Sequence, residues 1–126
     1  MDKPYALAQS ERLSSLAAVR RLFKDGASGF VYPFRYMTIV EKSATPSVEV
    51  LFSVPKRYHK RANKRNTLRR RMKEAYRLNK ASILQRTAEC DKSVDLALVY
   101  SSKEVLPFNT IENAIRKILA EVSERI

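Results

Sequence analysis

The sequence predicts an α+β fold, a two-layer α/β sandwich in which one mixed sheet packs against helices. Segments typical of helices and strands follow one another in the order helix, strand, strand, helix, strand, helix. The chain has 126 residues, of which 44% are hydrophobic, so it is large enough for one domain with its own core. We assign residues 1–12 to a flexible N-terminal arm and residues 13–126 to a single domain.

The first element of the domain is predicted to be a helix. Residues 13–26, LSSLAAVRRLFKDG, carry apolar side chains at helical spacing. Ser14 or Ser15 can cap the start of this helix, and Gly26 can end it. The sequence GASGF, which includes Gly26, predicts a turn.

Two strands are predicted next, because residues 34–40 and 48–54 are rich in aromatic and β-branched side chains. Both faces of the first strand carry apolar groups, so one face must pack on helices. Its other face could offer Arg35 and Met37 to a single-stranded nucleic acid, by charge and by stacking or apolar contact. The alternative is that these two residues belong to the core and its rim.

The second half of the domain is predicted to contain a long helix over residues 63–86, a short apolar strand over residues 94–100 and a closing helix. The closing helix is the amphipathic sequence PFNTIENAIRKILAEVSERI. Asn109 can cap it, with Glu112 three residues later.

Positive charge is concentrated in one stretch of the chain. The formal net charge is +12, and residues 56–77 hold eleven Lys or Arg against one acid. The rest of the chain holds fourteen Lys or Arg against twelve acids, so it is close to neutral. A local block of this kind indicates a polyanionic partner, either nucleic acid or an acidic membrane surface.

The long helix is predicted to have one apolar and one cationic side. Glu74 lies at the edge of the cationic side, where it can pair with Arg70. The apolar stripe consists of Leu68, Met72, Ala75 and Tyr76. The cationic side gathers Asn66, Arg69, Arg70, Lys73, Arg77 and Lys80.

The predicted start of this helix carries an unfavourable charge pattern. Asn63 is a good N-cap, yet cations crowd the positive end of the helix dipole, at a cost of roughly 0.3–1 kcal/mol each. An anion bound at the helix N-terminus would remove that cost. The cations are Lys60, Arg61, Lys64 and Arg65.

The sequence SVPKRYHKRANKRNTLRRRMKEAYRLNK resembles the signature region of the protein subunit of bacterial ribonuclease P. Two residues depart from the family pattern, because Thr67 replaces an Arg and Val19 replaces an aromatic residue. The matching positions are Ser53, Val54, Lys56 and Arg57, then Arg65, Asn66, Arg69 and Arg70, then Lys73, Glu74, Ala75, Tyr76 and Arg77, with Phe23 at the second aromatic position of the first helix.

This resemblance implies a ribonucleoprotein enzyme that removes the 5′ leader of precursor tRNA. The RNA subunit would perform the hydrolysis with bound Mg²⁺, while the protein itself would bind no cofactor and no metal and supply no catalytic residue. The resemblance also implies a β-α-β crossover, and a left-handed one. We expect ribonuclease P RNA and precursor tRNA as partners, no membrane, no protein partner and a cytoplasmic location.

The resemblance, together with the positions of the other cations and of the strand side chains, assigns binding roles to individual residues. The RNA-binding residues would be Lys56, Arg57, Lys60, Arg61, Lys64, Arg65, Asn66, Arg69, Arg70, Lys73 and Arg77. The leader-binding residues would be Val19, Phe23, Arg35 and Met37, in a cleft between the sheet and the first helix.

Other classes of protein fit the charge less well. A membrane-binding helix would carry more large apolar residues than this one does. A helix-turn-helix reader of DNA would need a short partner helix where a strand precedes the basic block. A structural RNA-binding protein such as a ribosomal protein fits the composition equally well. Only the motif separates this alternative from ribonuclease P. The chain has a single His, no Ser-His-Asp set and no acidic cluster suited to two metals, which argues against a nucleolytic site made of protein side chains.

Overall fold

The computed structural model describes residues 15–126, so the predicted N-terminal arm lies outside the described residues. The predicted α+β class is confirmed. The elements follow in the order α1 (Leu16–Asp25), β1 (Ala27–Val31), β2 (Phe34–Lys42), β3 (Ser47–Ser53), α2 (Ala62–Asn79), α3 (Ala81–Cys90), β4 (Lys92–Tyr100) and α4 (Phe108–Glu124).

The four strands form one mixed sheet in the order β1-β2-β4-β3. The pairs β1/β2 and β2/β4 are antiparallel, whereas β3 and β4 are parallel. Two parallel neighbours need a long connection, and α2 with α3 provides it. The predicted β-α-β crossover is therefore present, and its left-handedness remains a prediction.

Helices cover both faces of this sheet. Helices α2, α3 and α4 pack on one face, where buried side chains such as Leu68, Ile83 and Ile115 meet Tyr36 and Leu98 of the strands. Helix α1 packs on the other face, where a smaller cluster consists of Leu22, Met37, Ala97 and Val99. The smaller cluster leaves part of its face open, and this opening is where the candidate site begins.

The predicted ends of α1 are confirmed for the described residues. Ser15 precedes the helix, and its hydroxyl oxygen accepts a hydrogen bond from the Ala18 N–H at 3.4 Å. Gly26 follows the helix, and its N–H donates to the Leu22 carbonyl at 2.9 Å. Ser14 lies outside the described residues.

The predicted turn GASGF is wrong, because most of it belongs to strand β1. This short strand lies at the sheet edge and pairs residue by residue with β2, so pairing outweighs its weak intrinsic preference. Gly29 pairs with Tyr36, and a Cβ atom at Gly29 would lie 2.4 Å from the Tyr36 ring. The glycine that suggested a turn is therefore required by close packing within the sheet.

The predicted single helix over residues 63–86 is also wrong, because it is divided at Lys80 into α2 and α3. The Asn79 amide donates to the Ala75 carbonyl at 2.7 Å and to Glu112 of α4 at 3.0 Å. Arg116 of α4 in turn donates to the Asn79 side-chain oxygen at 2.9 Å. Helix α4 thus holds Asn79 where α2 ends. Lys80 is buried and does not belong to the cationic side.

Both predicted N-caps in the second half of the chain are wrong. Helix α2 begins after Arg61 and α4 begins after Pro107, and neither has a side-chain cap hydrogen bond. Asn63 and Asn109 therefore lie inside the first turns of their helices. Strand β4 begins at Lys92 rather than at residue 94.

Among the described residues, no helix combines the length and the apolar character needed to cross a membrane.

Candidate nucleic-acid interface

The basic loop, residues 54–61, connects β3 to α2 and is held in place by contacts with the end of β4. The His59 side chain is buried, and its Nε2–H donates to the Ser102 carbonyl at 2.7 Å. The His59 ring also lies against the Tyr100 ring, with centroids 5.7 Å apart. The only histidine therefore anchors the basic loop to the end of β4.

Arg65 holds the same loop from the helix side. Its guanidinium donates to the carbonyls of His59, at 3.0 Å, and Lys60, at 2.7 Å. A cation that binds two backbone oxygens is fixed in position and contributes to the shape of the loop. Arg65 was predicted to contact RNA, and the structure adds this positioning role.

The predicted apolar stripe of α2 is confirmed. Leu68, Met72, Ala75 and Tyr76 are all buried against the sheet. The opposite side of α2 points away from that core. We call its exposed polar residues the cationic face, which consists of Asn63, Asn66, Arg70 and Lys73. Lys64 is also exposed but lies at the helix start, four residues before Leu68.

The predicted RNA-binding residues form one continuous stretch of loop and helix surface. Their binding to RNA remains a prediction, but their exposure suits it. Arg65, Arg69 and Arg77 are half-buried. The exposed members are Lys56, Arg57, Lys60, Arg61, Lys64, Asn66, Arg70 and Lys73.

Glu74 pairs with Arg77, and the predicted pair with Arg70 is wrong. The Arg77 Nε–H donates to the Glu74 carboxylate at 3.0 Å, and a second hydrogen bond joins the same two groups. Hydrogen bonding to Arg77 lowers the pKa of Glu74. Arg70 is left exposed on the cationic face, so its charge is directed at solvent.

The start of α2 presents backbone N–H groups together with cations. Its first turn contains no acid, and its N-cap residue Arg61 makes no side-chain cap hydrogen bond. The Asn63 side chain accepts a hydrogen bond from the Lys64 N–H at 2.9 Å. A helix start and its dipole favour an anion, so binding of an anion here stays a prediction.

Thr67 stands where the family pattern has a third cation. Its hydroxyl donates to the Asn63 carbonyl at 3.0 Å, so it is used within the helix. The nearby Arg71 donates to the Leu106 carbonyl at 2.6 Å and is half-buried. Arg71 therefore ties α2 to the segment before α4.

A cleft lies on the face of the sheet that α1 partly covers. It is a cavity of about 200 Å³ lined by Phe23, Arg35, Met37, Arg57 and Val99. Three of the four predicted leader-binding residues thus come together. The fourth, Val19, packs beside the small core under α1 and is outside the lining of the cleft.

Arg57 belongs both to the basic loop and to the cleft. It lines the cleft opposite Phe23, and its guanidinium lies 5.0 Å from the centroid of the Tyr58 ring, which is cation–π distance. The basic loop and the cleft are therefore adjacent parts of one surface. The sequence placed Arg57 in the basic block and gave no sign that it also lines the cleft.

The sequence also missed Phe30 and Val99. Phe30 pairs with Arg35, and Arg35 pairs with Val99, so all three side chains lie on the same face of the sheet. The neighbouring glycines predict a turn at Phe30, whereas the structure places it in β1. The apolar residues on both sides of Pro33 were the available signal of a hairpin.

Carboxylates occupy the opposite end of the same face, and we call Glu41, Glu49 and Asp95 the acidic end. Glu41 forms an ion pair with Arg21 of α1, and the hydrogen bond to Arg21 lowers the pKa of Glu41. Glu49 and Asp95 are directly paired in the sheet. Burial raises the pKa of both, and the proximity of Asp95 raises that of Glu49 further. The face is therefore cationic near the cleft and acidic at its far end.

Within residues 15–126, no group of three or more His, Cys, Asp or Glu side chains is arranged to hold a metal ion.

Comparison with known proteins identifies a consistent set of relatives. Residues 7–123 match the family described as Ribonuclease P. The chain is 34% identical over 124 residues to the ribonuclease P protein component of Porphyromonas gingivalis, covering 97% of this chain and 90% of that protein. Two solved structures share the fold. The ribonuclease P protein of Staphylococcus aureus has a TM-score of 0.69 at 19% identity, covering 94% of this chain and 93% of that one. That of Thermotoga maritima has a TM-score of 0.62 at 23% identity, covering 92% and 97%.

Proposed function

The chain belongs to the ribonuclease P protein family, and from this premise we propose how its surface is divided between two RNA ligands. It is the protein subunit of ribonuclease P, and its partner is ribonuclease P RNA. We assign that RNA to the basic loop and the cationic face of α2. We assign the 5′ leader of precursor tRNA to the cleft.

The position of Arg57 supports this division most directly. Arg57 lies in the basic loop and also lines the cleft with Phe23, Arg35 and Met37. A leader strand in the cleft would thus lie next to an RNA subunit bound along the loop and α2. A cation between two phosphate backbones reduces their mutual repulsion, so Arg57 would favour binding of both RNAs together.

The chemical step is assigned to the RNA subunit, with Mg²⁺ bound to that RNA, as the family resemblance implies. The arrangement of the protein side chains fits a binding role. Exposed cations contact phosphates, and an open cleft with Phe23 beside Arg35 suits single-stranded nucleotides. With an RNA partner of this kind, we place the protein in the cytoplasm.

Reconstitution tests this function. The protein is mixed with a bacterial ribonuclease P RNA at low Mg²⁺, and removal of the leader from a precursor tRNA is measured. We expect stimulation over the RNA alone. Binding of the RNA without any stimulation would favour a purely structural RNA-binding protein instead.

Two single variants separate the proposed surfaces. Lys64→Ala, at the start of α2, should weaken RNA binding and leave the preference for precursor over mature tRNA unchanged. Arg35→Ala should reduce that preference and leave binding of the RNA subunit unchanged. Lys42→Ala removes an exposed cation at the far end of β2 and should change neither property. Equal effects of all three variants would contradict the division.

A further inference from the structure

We propose that the leader strand leaves the cleft sideways, across the edge strand β1, with one base stacked on Phe30. This inference rests on the proposed binding of the leader in the cleft. It concerns the nucleotides beyond the cleft and assigns a role to a residue that does not line it.

The strand register places Phe30 beside the cleft. Phe30 is the direct partner of Arg35, and Arg35 is the direct partner of Val99. Side chains of directly paired residues lie on the same face, with Cβ atoms about 4.5–5.5 Å apart. Phe30 therefore extends the row formed by two cleft residues to the edge of the sheet.

Phe30 is also uncovered on this face. Its side chain is 58% exposed. Among the described residues, α1 packs on β2 and β4, and α4 contacts β1 through Val31 and its neighbours on the opposite face. An exposed aromatic ring next to an arginine matches the pairing of stacking and charge that single-stranded RNA uses.

The route along the strands is electrostatically unfavourable for a phosphate chain. From the cleft it leads past Met37 and Ile39 to the acidic end. There Glu49 lies beside Asp95, and Arg21 of α1 is already paired with Glu41. Phosphates would meet like charge along this route, whereas the route over β1 contains no acid between Ala27 and Val31.

A leader-length series with the reconstituted holoenzyme tests the proposal. Precursor tRNAs carry leaders lengthened one nucleotide at a time, and the affinity is measured for the unmodified protein, Phe30→Ala and Phe30→Trp. We expect Phe30→Ala to lose about tenfold in affinity, but only for leaders long enough to pass the cleft. Phe30→Trp should restore the affinity, because it keeps an aromatic surface.

Matched variants keep the outcomes apart. Val105→Ala removes another exposed apolar side chain, away from the cleft, and should have no effect at any leader length. Glu49→Gln should leave the affinity for long leaders unchanged. If Glu49→Gln raises that affinity and Phe30→Ala has no effect, the strand follows the other route and the inference is overturned.

Failure of the inference differs from failure of the proposed function. If Arg57→Ala loses leader-dependent affinity while Phe30→Ala does not, only the sideways route is wrong. If neither Arg57→Ala nor Phe30→Ala changes the dependence of affinity on leader length, the proposed binding of the leader in the cleft is itself wrong. Sedimentation of the free protein compares the self-association of the unmodified chain and of Phe30→Ala. If the substitution changes self-association, this edge binds a second copy of the chain and the proposal is overturned.

Discussion

Replacing Arg70 and Lys73 together by alanine should make RNA binding weaker and less sensitive to salt. Both residues are exposed on the side of α2 opposite Leu68 and Met72, so the substitution removes charge without opening the core. Each neutralised phosphate contributes roughly 0.7–0.9 to the slope of log K against log salt. With about six phosphates neutralised, the unmodified protein should show a slope of roughly −4 to −5. The double variant should reduce the magnitude of this slope by about 1.4–1.8, because it removes two charges.

The assay is equilibrium binding to ribonuclease P RNA over a salt series. The matched control replaces Lys42 and Lys117, which are also exposed and lie outside the basic loop and the cationic face. Both double variants remove two positive charges. A difference between their salt slopes therefore depends on where the charges lie and not on the net charge of the protein. Thermal unfolding should change little for either, since surface substitutions usually stay within about 0.5 kcal/mol. An identical slope for both variants would refute the assignment of RNA to α2, and loss of folding in the Arg70 and Lys73 variant would refute the helix orientation.

Further predictions concern stability, each measured by urea unfolding. Gly29→Ala should destabilise the protein by about 1–3 kcal/mol, because its methyl group would overlap the Tyr36 ring; a change near zero would contradict that packing. Arg65→Met should cost about 1 kcal/mol, since the half-buried guanidinium holds two loop carbonyls; an unchanged free energy of unfolding would show that the loop does not need it. Burial and the nearby Asp95 raise the pKa of Glu49 in the folded state. At pH values between the pKa of Glu49 in the unfolded state and its higher pKa in the folded state, the folded state therefore binds more protons. The free energy of unfolding should therefore fall as the pH rises between these two values, and Glu49→Gln should make this dependence on pH weaker. An unchanged pH dependence in Glu49→Gln would show that Glu49 does not cause it.

The orientation of α2 could be predicted because it depends on local periodicity. Residues three and four apart share a helix face, so the positions of Leu68, Met72, Ala75 and Tyr76 define the buried side. The exposed cations then follow from the rest of the sequence. The same local logic found the end of α1 at Gly26 and included its N-cap, Ser15, as one of two candidates.

The errors occurred where distant parts of the chain meet. The break after Asn79 depends on Glu112 and Arg116, which belong to another helix. Strand β1 depends on pairing with β2, and its glycine depends on the Tyr36 ring. Propensity within a short window contains none of these contacts, so the sequence suggested one long helix and a turn.

The sequence by itself determined that the chain carries a cationic helix on an α+β domain, because charge and hydrophobic spacing are properties of neighbouring residues. Only the tertiary structure decided that Arg57 shares a cleft with Phe23 and Arg35, and that Phe30 continues the same row. These residues are brought together by strand register and by the placement of α1. A shift of one residue in register would turn each strand side chain to the other face.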